Sequence, residues 1–537
     1  MYADQILTNG KFYTMDGRLP FATAVAIRDG RIVAVGNDSD TADWSLAPHG
    51  QRHNLNGATV TPGLVDAHCH FQWYAISLLQ VDLYEVPSKA EAQARVAART
   101  AQQPHGQWVQ GRGWKCQIWE DPSWPTAADL DPISPHHPVL LRDKSGHTAW
   151  ANSLALQLAG VNEQTPNPAG GEIGRDEHGR PTGMLFETAI RLVADHIPDY
   201  TQQQLVEAMR VAQRNCWAVG LTGLHDFDGR DSFMALQELH RHGELGLRIY
   251  KNIPVSHLDE VIGLGLRTDF GDEWLRLGGI KIFADGALGG RTALMVEPYE
   301  REPSNYGIAV TDKEEMMANV SRASAHGLSV TIHAIGDRAV HDVLDAYEAA
   351  RREEAQRGAG QPALRHRIEH VQIYHPADKL RLAQLGIIAS MQPVHAISDM
   401  VMADAAWGAR AQYSYAWRDM LASGAPLVFG SDFPVEEIDP LRGIYAAVAR
   451  RQIGGDYAPA EGWYASQKLT MPETIRAFTL AAAETSGQQA TQGSISVGKT
   501  ADFTLFDSDL FAIPTEEVLD TKVVGTITGG VWRYGGL

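Results

Sequence analysis

Eight short apolar runs rich in β-branched residues recur along this chain, starting at Val60, Ala218, Leu247, Leu277, Leu328, Arg367, Gly386 and Leu427. Each leads into polar or glycine residues and then into a stretch of helical period. That alternation is the pattern of parallel strands buried on both faces by crossover helices. Eight such units predict an α/β fold, the (β/α)₈ TIM barrel. The spacing is uneven, because residues 71–215 fall between the first and second runs where one helix would suffice. That stretch carries Trp73, Trp108, Trp114, Trp119, Trp124 and Trp150 among many Pro and Gly residues, and reads as a large inserted cap after the first strand, at the barrel mouth.

The two ends have a different character. Residues 24–28 and 31–35 flank Asp29-Gly30, a dipeptide suited to a tight hairpin turn. Residues 501–506 and 522–527, then Val531-Trp532-Arg533 after Gly529-Gly530, repeat the short-strand pattern. The termini are therefore expected to build one small flanking β-sandwich from residues 1–59 and 481–537, with the barrel over 60–480. A chain of 537 residues is long enough for both.

Charge narrows the partners. The 65 acidic residues outnumber 46 basic ones, a net charge of −19, and no Lys/Arg block offers a phosphate-binding face, which argues against nucleic acid and anionic membranes. The N-terminus has no basic-then-apolar leader and no run is long enough to span a bilayer, so a cytoplasmic protein acting on a small molecule is expected. Oligomeric state stays open, a homodimer included. Three cysteines in no paired spacing suggest neither a disulfide framework nor a thiolate zinc site. A metal here must be held by His, carboxylate or a modified Lys.

Such residues stand at the strand ends. In Leu64-Val65-Asp66-Ala67-His68-Cys69-His70, alternate side chains share one face of a strand, so His68 and His70 converge with Asp66 behind them. Neutral imidazoles fixed by a strand can grip a divalent metal. His333 and His370 end two later runs, and Asp432 ends the last, where a buried carboxylate needs a partner. Lys281 interrupts a run that should face the barrel interior, an expensive place for an amine unless it is paired or modified.

His-x-His on the first strand, Lys on the fourth, His on the fifth and sixth and Asp on the eighth resembles the amidohydrolase superfamily. The wording around Lys281 (Gly-Ile-Lys-Ile-Phe-Ala-Asp-Gly-Ala-Leu-Gly), around His333 (Ile-His-Ala-Ile-Gly-Asp-Arg-Ala) and around Asp432 (Gly-Ser-Asp-Phe-Pro-Val) is similar to amidohydrolase family 3, which includes the N-substituted formamide deformylases. The resemblance spans essentially the whole chain. It implies that His68, His70 and Asp432 hold one metal, that His333 and His370 hold a second, and that a carboxylated Lys281 bridges them, with zinc the expected metal. It also implies hydrolysis of a C–N bond, an amide or N-formyl/N-acyl amine, by metal-bound hydroxide, with Asp432 as proton shuttle. A mononuclear site with unmodified Lys281, and an Asp432 that is only a ligand, remain alternatives. So do a cyclic amide, carbamate or ester as substrate, and a lyase or decarboxylase reaction.

Further residues have two readings each. His147, in a Gly-His-x-x-x-x-Asn segment ending at Asn152, either polarises a substrate carbonyl or caps a helix expected to begin near Thr148. Glu187 either reaches the metal centre or is a surface residue at a helix start. His225 and Asp226 are expected to orient ligands, while Asp285 and Asp337 either support the site or cap the helices that follow. Phe71, Trp73, Tyr74, Trp114 and Trp119 are candidate pocket walls, with Trp73 and Trp114 singled out for substrate.

Overall fold

The computed structural model describes residues 2–144, 146–358 and 364–536. Its central sheet has eight parallel strands, each beside its sequence neighbours: Leu64–Cys69, Leu221–Asp226, Arg248–Pro254, Leu275–Phe283, Val330–Ala334, Arg367–His370, Ile388–Met391 and Leu427–Phe429. Just beyond the last strand the sheet meets its own first strand, where Asp432 N donates to His68 O at 2.7 Å and His70 N to Phe433 O at 2.8 Å. This is a nearly closed (β/α)₈ barrel. Most strand residues are buried on both faces, which is why they read as continuous apolar runs.

One boundary differs from expectation. The first barrel strand begins at Leu64, not Val60, because Thr59–Pro62 pairs antiparallel with Phe503–Phe506 in a terminal sheet. Pro62-Gly63 divides one apolar run into two strands. A Cβ at Gly63 would lie 2.2 Å from Thr222 Oγ1, so only glycine lets the chain pass from one sheet to the other.

Both termini contribute to the flanking β structure. A six-stranded sheet orders Val531–Gly535, Val523–Thr528, Phe503–Phe506, Thr59–Pro62, Lys11–Tyr13 and Phe21–Ala22, and a four-stranded sheet orders Arg31–Gly36, Ala24–Arg28, Tyr2–Thr8 and Ser45–Asn54. Leu7, Phe12, Val25, Ile27, Val60, Phe503, Leu505 and Ile527 form their shared core. The hairpin turn has positive φ at both Asp29 (51°) and Gly30 (71°), as its tight geometry requires. The sandwich is tied to the barrel by Arg248, which pairs with Asp502 at 2.6 Å.

The inserted segment forms its own compact unit, Trp73–Ala208, shorter at both ends than the 71–215 expected. Phe71 stays with the barrel, fully buried, its N–H donated to Asp226 at 3.0 Å. The inserted unit has a mixed six-stranded sheet ordered Gly171–Arg175, Pro181–Glu187, Thr148–Ala151, Val139–Asp143, Val109–Trp114 and Val81–Asp82. Its core gathers Trp114, Trp119 and Trp150 with Val109, Leu130 and Leu141. Among the described residues no helix is long and apolar enough to cross a membrane.

Candidate metal centre

The first and eighth strand ends bring three donors together. His68 Nδ1 is bonded to Glu369 Oε2 at 2.6 Å and His70 Nδ1 to Asp228 Oδ1 at 3.0 Å. Each ring thus gives its Nδ1 proton to a carboxylate and keeps the Nε2 lone pair for another partner. Asp432 Oδ1 lies 3.6 Å from His68 Nε2 and 3.5 Å from His70 Nε2. That oxygen is buried and accepts no hydrogen bond. A buried carboxylate oxygen without a donor is costly, and two imidazole lone pairs facing it supply none. A divalent cation is the partner this donor set fits. His68 is in the state a cation requires: burial, with the Lys281 charge, pulls it down to about 4 and keeps it neutral. At His70 burial is outweighed by the bond to Asp228 and the charges of Asp228 and Asp432, which raise it, as expected of an imidazole facing carboxylates that a cation would otherwise share. Burial pushes Asp432 up, but the hydrogen bond from His395 and the imidazoles gathered around it outweigh burial and hold the carboxyl below its usual range.

The turn carrying Asp432 is built for this approach. Asp432 adopts φ 65°, in the left-handed region, and a Cβ on Gly430 would sit 2.4 Å from His68 N. Asp66 fastens the turn to the first strand, accepting from His68 N at 3.0 Å, Ser431 N at 3.1 Å and Ser431 Oγ at 2.6 Å. Burial pushes Asp66 up to about 7, and it is consumed by these bonds.

His333, His370 and Lys281 face the same cavity of about 320 Å³. The His333 and His370 ring centroids are 4.6 Å apart, and those of His68 and His370 are 4.8 Å apart. His333 Nε2 bonds Gly286 O at 2.9 Å and His370 Nδ1 bonds Gln392 Oε1 at 2.8 Å, so each ring has one nitrogen left over. His370 (φ 78°) and the β-branched Val371 (φ 44°) are also left-handed, strain of the kind found where a side chain must be aimed. Lys281 is 3% exposed, with Nζ 4.7 Å from the centroids of both Phe227 and Phe283. Burial lowers its amine to about 8.

A sequence model described as the amidohydrolase family matches residues 52–534. The chain belongs to the amidohydrolase family. This amidohydrolase is 34% identical to the protein LONG AFTER FAR-RED 3 of Arabidopsis thaliana, over 99% of this chain and 92% of that one. It is 31% identical to the N-substituted formamide deformylase of Arthrobacter pascens, over 99% of this chain and 98% of that one. The structure is similar to that of a metal-dependent hydrolase from Pyrococcus furiosus, with a TM-score of 0.76, 28% identity, and coverage of 94% of this chain and 99% of that one. It is a metal-dependent hydrolase, on a fold whose active sites lie at the strand C-termini, where the donors found here stand.

Several residues of this amidohydrolase serve otherwise than their sequence position suggested. Asp226 accepts from Phe71 N and Ser232 Oγ and pairs with Lys251 at 2.7 Å, so the carboxylate orienting His70 is Asp228, two residues on. His225 Nδ1 meets Arg367 at 2.9 Å, and Arg367 pairs with the Glu369 that orients His68. Neither Asp285 nor Asp337 caps the helix following it. Asp285 collects the N–H groups of Leu294, Ile335 and Gly336, and Asp337, first residue of Asp337–Arg357, accepts from Val296 N at 2.8 Å.

In the inserted unit, Thr148–Ala151 is a strand, so His147 caps no helix. Asn152 does: its side chain accepts from Ala155 N at 2.9 Å ahead of Ser153–Leu158. His147 Nδ1 pairs with Glu187 Oε2 at 2.9 Å, both side chains being largely exposed, and Glu187 holds a left-handed φ of 52°. Trp114 is not available to substrate: it is 0% exposed and gives its N–H to Leu141 O at 2.9 Å. Trp119 and Phe71 are likewise core, whereas Trp73 is 43% exposed and lines a cavity with Arg112 and Arg142.

The sequence reading missed Glu369, Asp228, Gln392 and His395. His395 is buried on the third residue of helix Pro393–Trp407, with Nε2 3.4 Å from Asp432 Oδ2 and Nδ1 3.2 Å from Glu436 Oε1.

Proposed function

We propose that this amidohydrolase cleaves the C–N bond of an amide, an N-formyl or other N-acyl amine, using zinc held by His68, His70 and Asp432. The observation that carries the reading is Asp432 Oδ1, buried, without a hydrogen bond, and facing the Nε2 atoms of His68 and His70. A cation held by these residues would supply an acidified water and a polarised carbonyl. Asp432, with one oxygen directed to that position, takes the water's proton and returns it to the leaving nitrogen. The likeness to the Arthrobacter pascens protein, named for N-substituted formamides, supports an N-formyl or N-acyl substrate. His147, its Nδ1 fixed by Glu187, is the candidate for hydrogen bonding to the substrate carbonyl.

Lys281 is read as a carbamate formed with CO₂, and His333, His370 and that carbamate are the residues that would hold a second cation. Two cation–π contacts are worth about 0.5–2 kcal/mol each. Desolvating an ammonium costs several kcal/mol, more than those contacts return. Among the described residues no carboxylate pairs with Lys281, and burial, opposed by the charges of Glu369 and Asp432, lowers the amine to about 8, so near neutral pH an appreciable share is the neutral form that adds CO₂. Intact mass with one CO₂ lost on acidification tests the adduct.

The deciding experiment for the reaction is a screen of N-formyl, N-acetyl and aromatic N-acyl amines with zinc-loaded enzyme in ¹⁸O-water. Release of free amine with ¹⁸O in the acid is expected. Turnover of esters or carbamates alone, or product lacking ¹⁸O, which marks lyase or decarboxylase chemistry, would contradict it.

A further inference from the structure

We infer that His395 is the positioning residue for Asp432, anchored on its far side by Glu436; the inference rests on the metal-dependent reading above. Asp432 divides its two oxygens between different neighbours. Oδ1 has no hydrogen bond and faces the Nε2 atoms of His68 and His70 at 3.6 and 3.5 Å, while Oδ2 faces His395 Nε2 at 3.4 Å. A carboxylate can turn about its terminal bond and exchange its oxygens. The contact to Oδ2 removes that freedom and leaves Oδ1 alone for the cation.

His395 can do this because its own ring is held at both ends. Nδ1 meets Glu436 Oε1 at 3.2 Å, and the buried ring lines the cavity also lined by His370, Lys281 and Asp432. Glu436 follows Asp432 by four residues, and Val435 N donates to Asp432 O at 2.9 Å, so both carboxylates lie on one stiff turn with the imidazole between them. The seventh strand end thereby aligns two partners of the centre. Gln392, at the helix start, holds His370 Nδ1, and His395, three residues later, holds Asp432.

A rival role is visible in the same atoms. One donor atom each from His370, His395 and Asp432 lies within 4.8 Å of the others, so His395 could itself be a cation ligand. Its Nε2 is directed at Asp432 Oδ2, and its Nδ1 at Glu436. Both nitrogens being engaged by carboxylates favours positioning.

Zinc stoichiometry at saturation, zinc affinity by chelator competition, and kcat and KM at saturating zinc separate the two in wild type, His395→Ala, His395→Gln, Glu436→Ala and the His395→Ala/Glu436→Ala double variant. Positioning predicts that His395→Ala keeps the full zinc stoichiometry, binds zinc about 10–100-fold more weakly, and loses kcat with KM unchanged. Gln, which can place an N–H where Nε2 stood, should restore most of both. Glu436→Ala should be milder than His395→Ala and have no further effect in its background. Loss of a zinc equivalent in His395→Ala makes it a ligand and overturns the inference. So do additive losses in the double variant, unchanged kcat and affinity in His395→Ala, or no recovery with Gln. A wild type that binds no zinc refutes the metal-dependent reading itself, a result none of the His395 outcomes can mimic.

Discussion

Asp432 is asked to be two things, an anion beside a cation and a base for a proton. Its surroundings supply the first directly, since burial is outweighed by three imidazoles around it. Replacing it by Asn keeps the shape and removes the charge and the base; kcat should fall about 10²–10⁴-fold with the fold intact, measured on zinc-saturated protein with circular dichroism as the control. The residues behind the ligands matter nearly as much. Glu369 is held at about 2, burial notwithstanding, by Arg367 and His68, and its bond to His68 Nδ1 fixes the tautomer that frees Nε2. Glu369→Ala should weaken zinc about 10–100-fold in a chelator competition. An unchanged affinity would mean that His68 does not depend on it.

At the scale of elements, the strand ends were readable and their supports were not. His68, His70, His333, His370 and Asp432 stood out because each closes an apolar run, a pattern local to a few residues. Glu369 shared such a run with Arg367, two charged residues in a four-residue strand, and the reasoning applied to Lys281 would have marked both. His395 lay beyond any strand-end rule, inside the helix after the seventh strand, and its partners are set by barrel closure, not by spacing. Trp114 misled for the opposite reason. An aromatic in a Trp-rich segment serves a core as readily as a pocket, and only packing tells them apart. Trp114→Ala should cost the inserted unit about 3–5 kcal/mol in denaturant unfolding, while Trp114→Phe leaves KM unchanged. Asn152 gives a second test of that unit: Asn152→Ala removes a cap and a partner of Val139 N, costing about 1–2 kcal/mol without altering zinc affinity.

At the scale of the molecule, the barrel frame was legible because eight buried strands announce themselves by composition, whereas the junction at Pro62-Gly63 was hidden inside one apolar run. The same frame spreads the proposed metal ligands across residues 68 to 432, so bound metal should stabilise the whole barrel. At free zinc 100-fold above Kd the gain is about 2.7 kcal/mol, visible as a rise in Tm that vanishes in His68→Ala. The central claim is that this chain folds around a divalent cation it uses for hydrolysis. Elemental analysis of protein purified without chelator, paired with activity before and after chelation, tests it most directly. At least one tightly bound divalent cation per chain, with activity lost on chelation and restored by zinc, is the predicted result; far less than one equivalent, with activity indifferent to chelation, would contradict it.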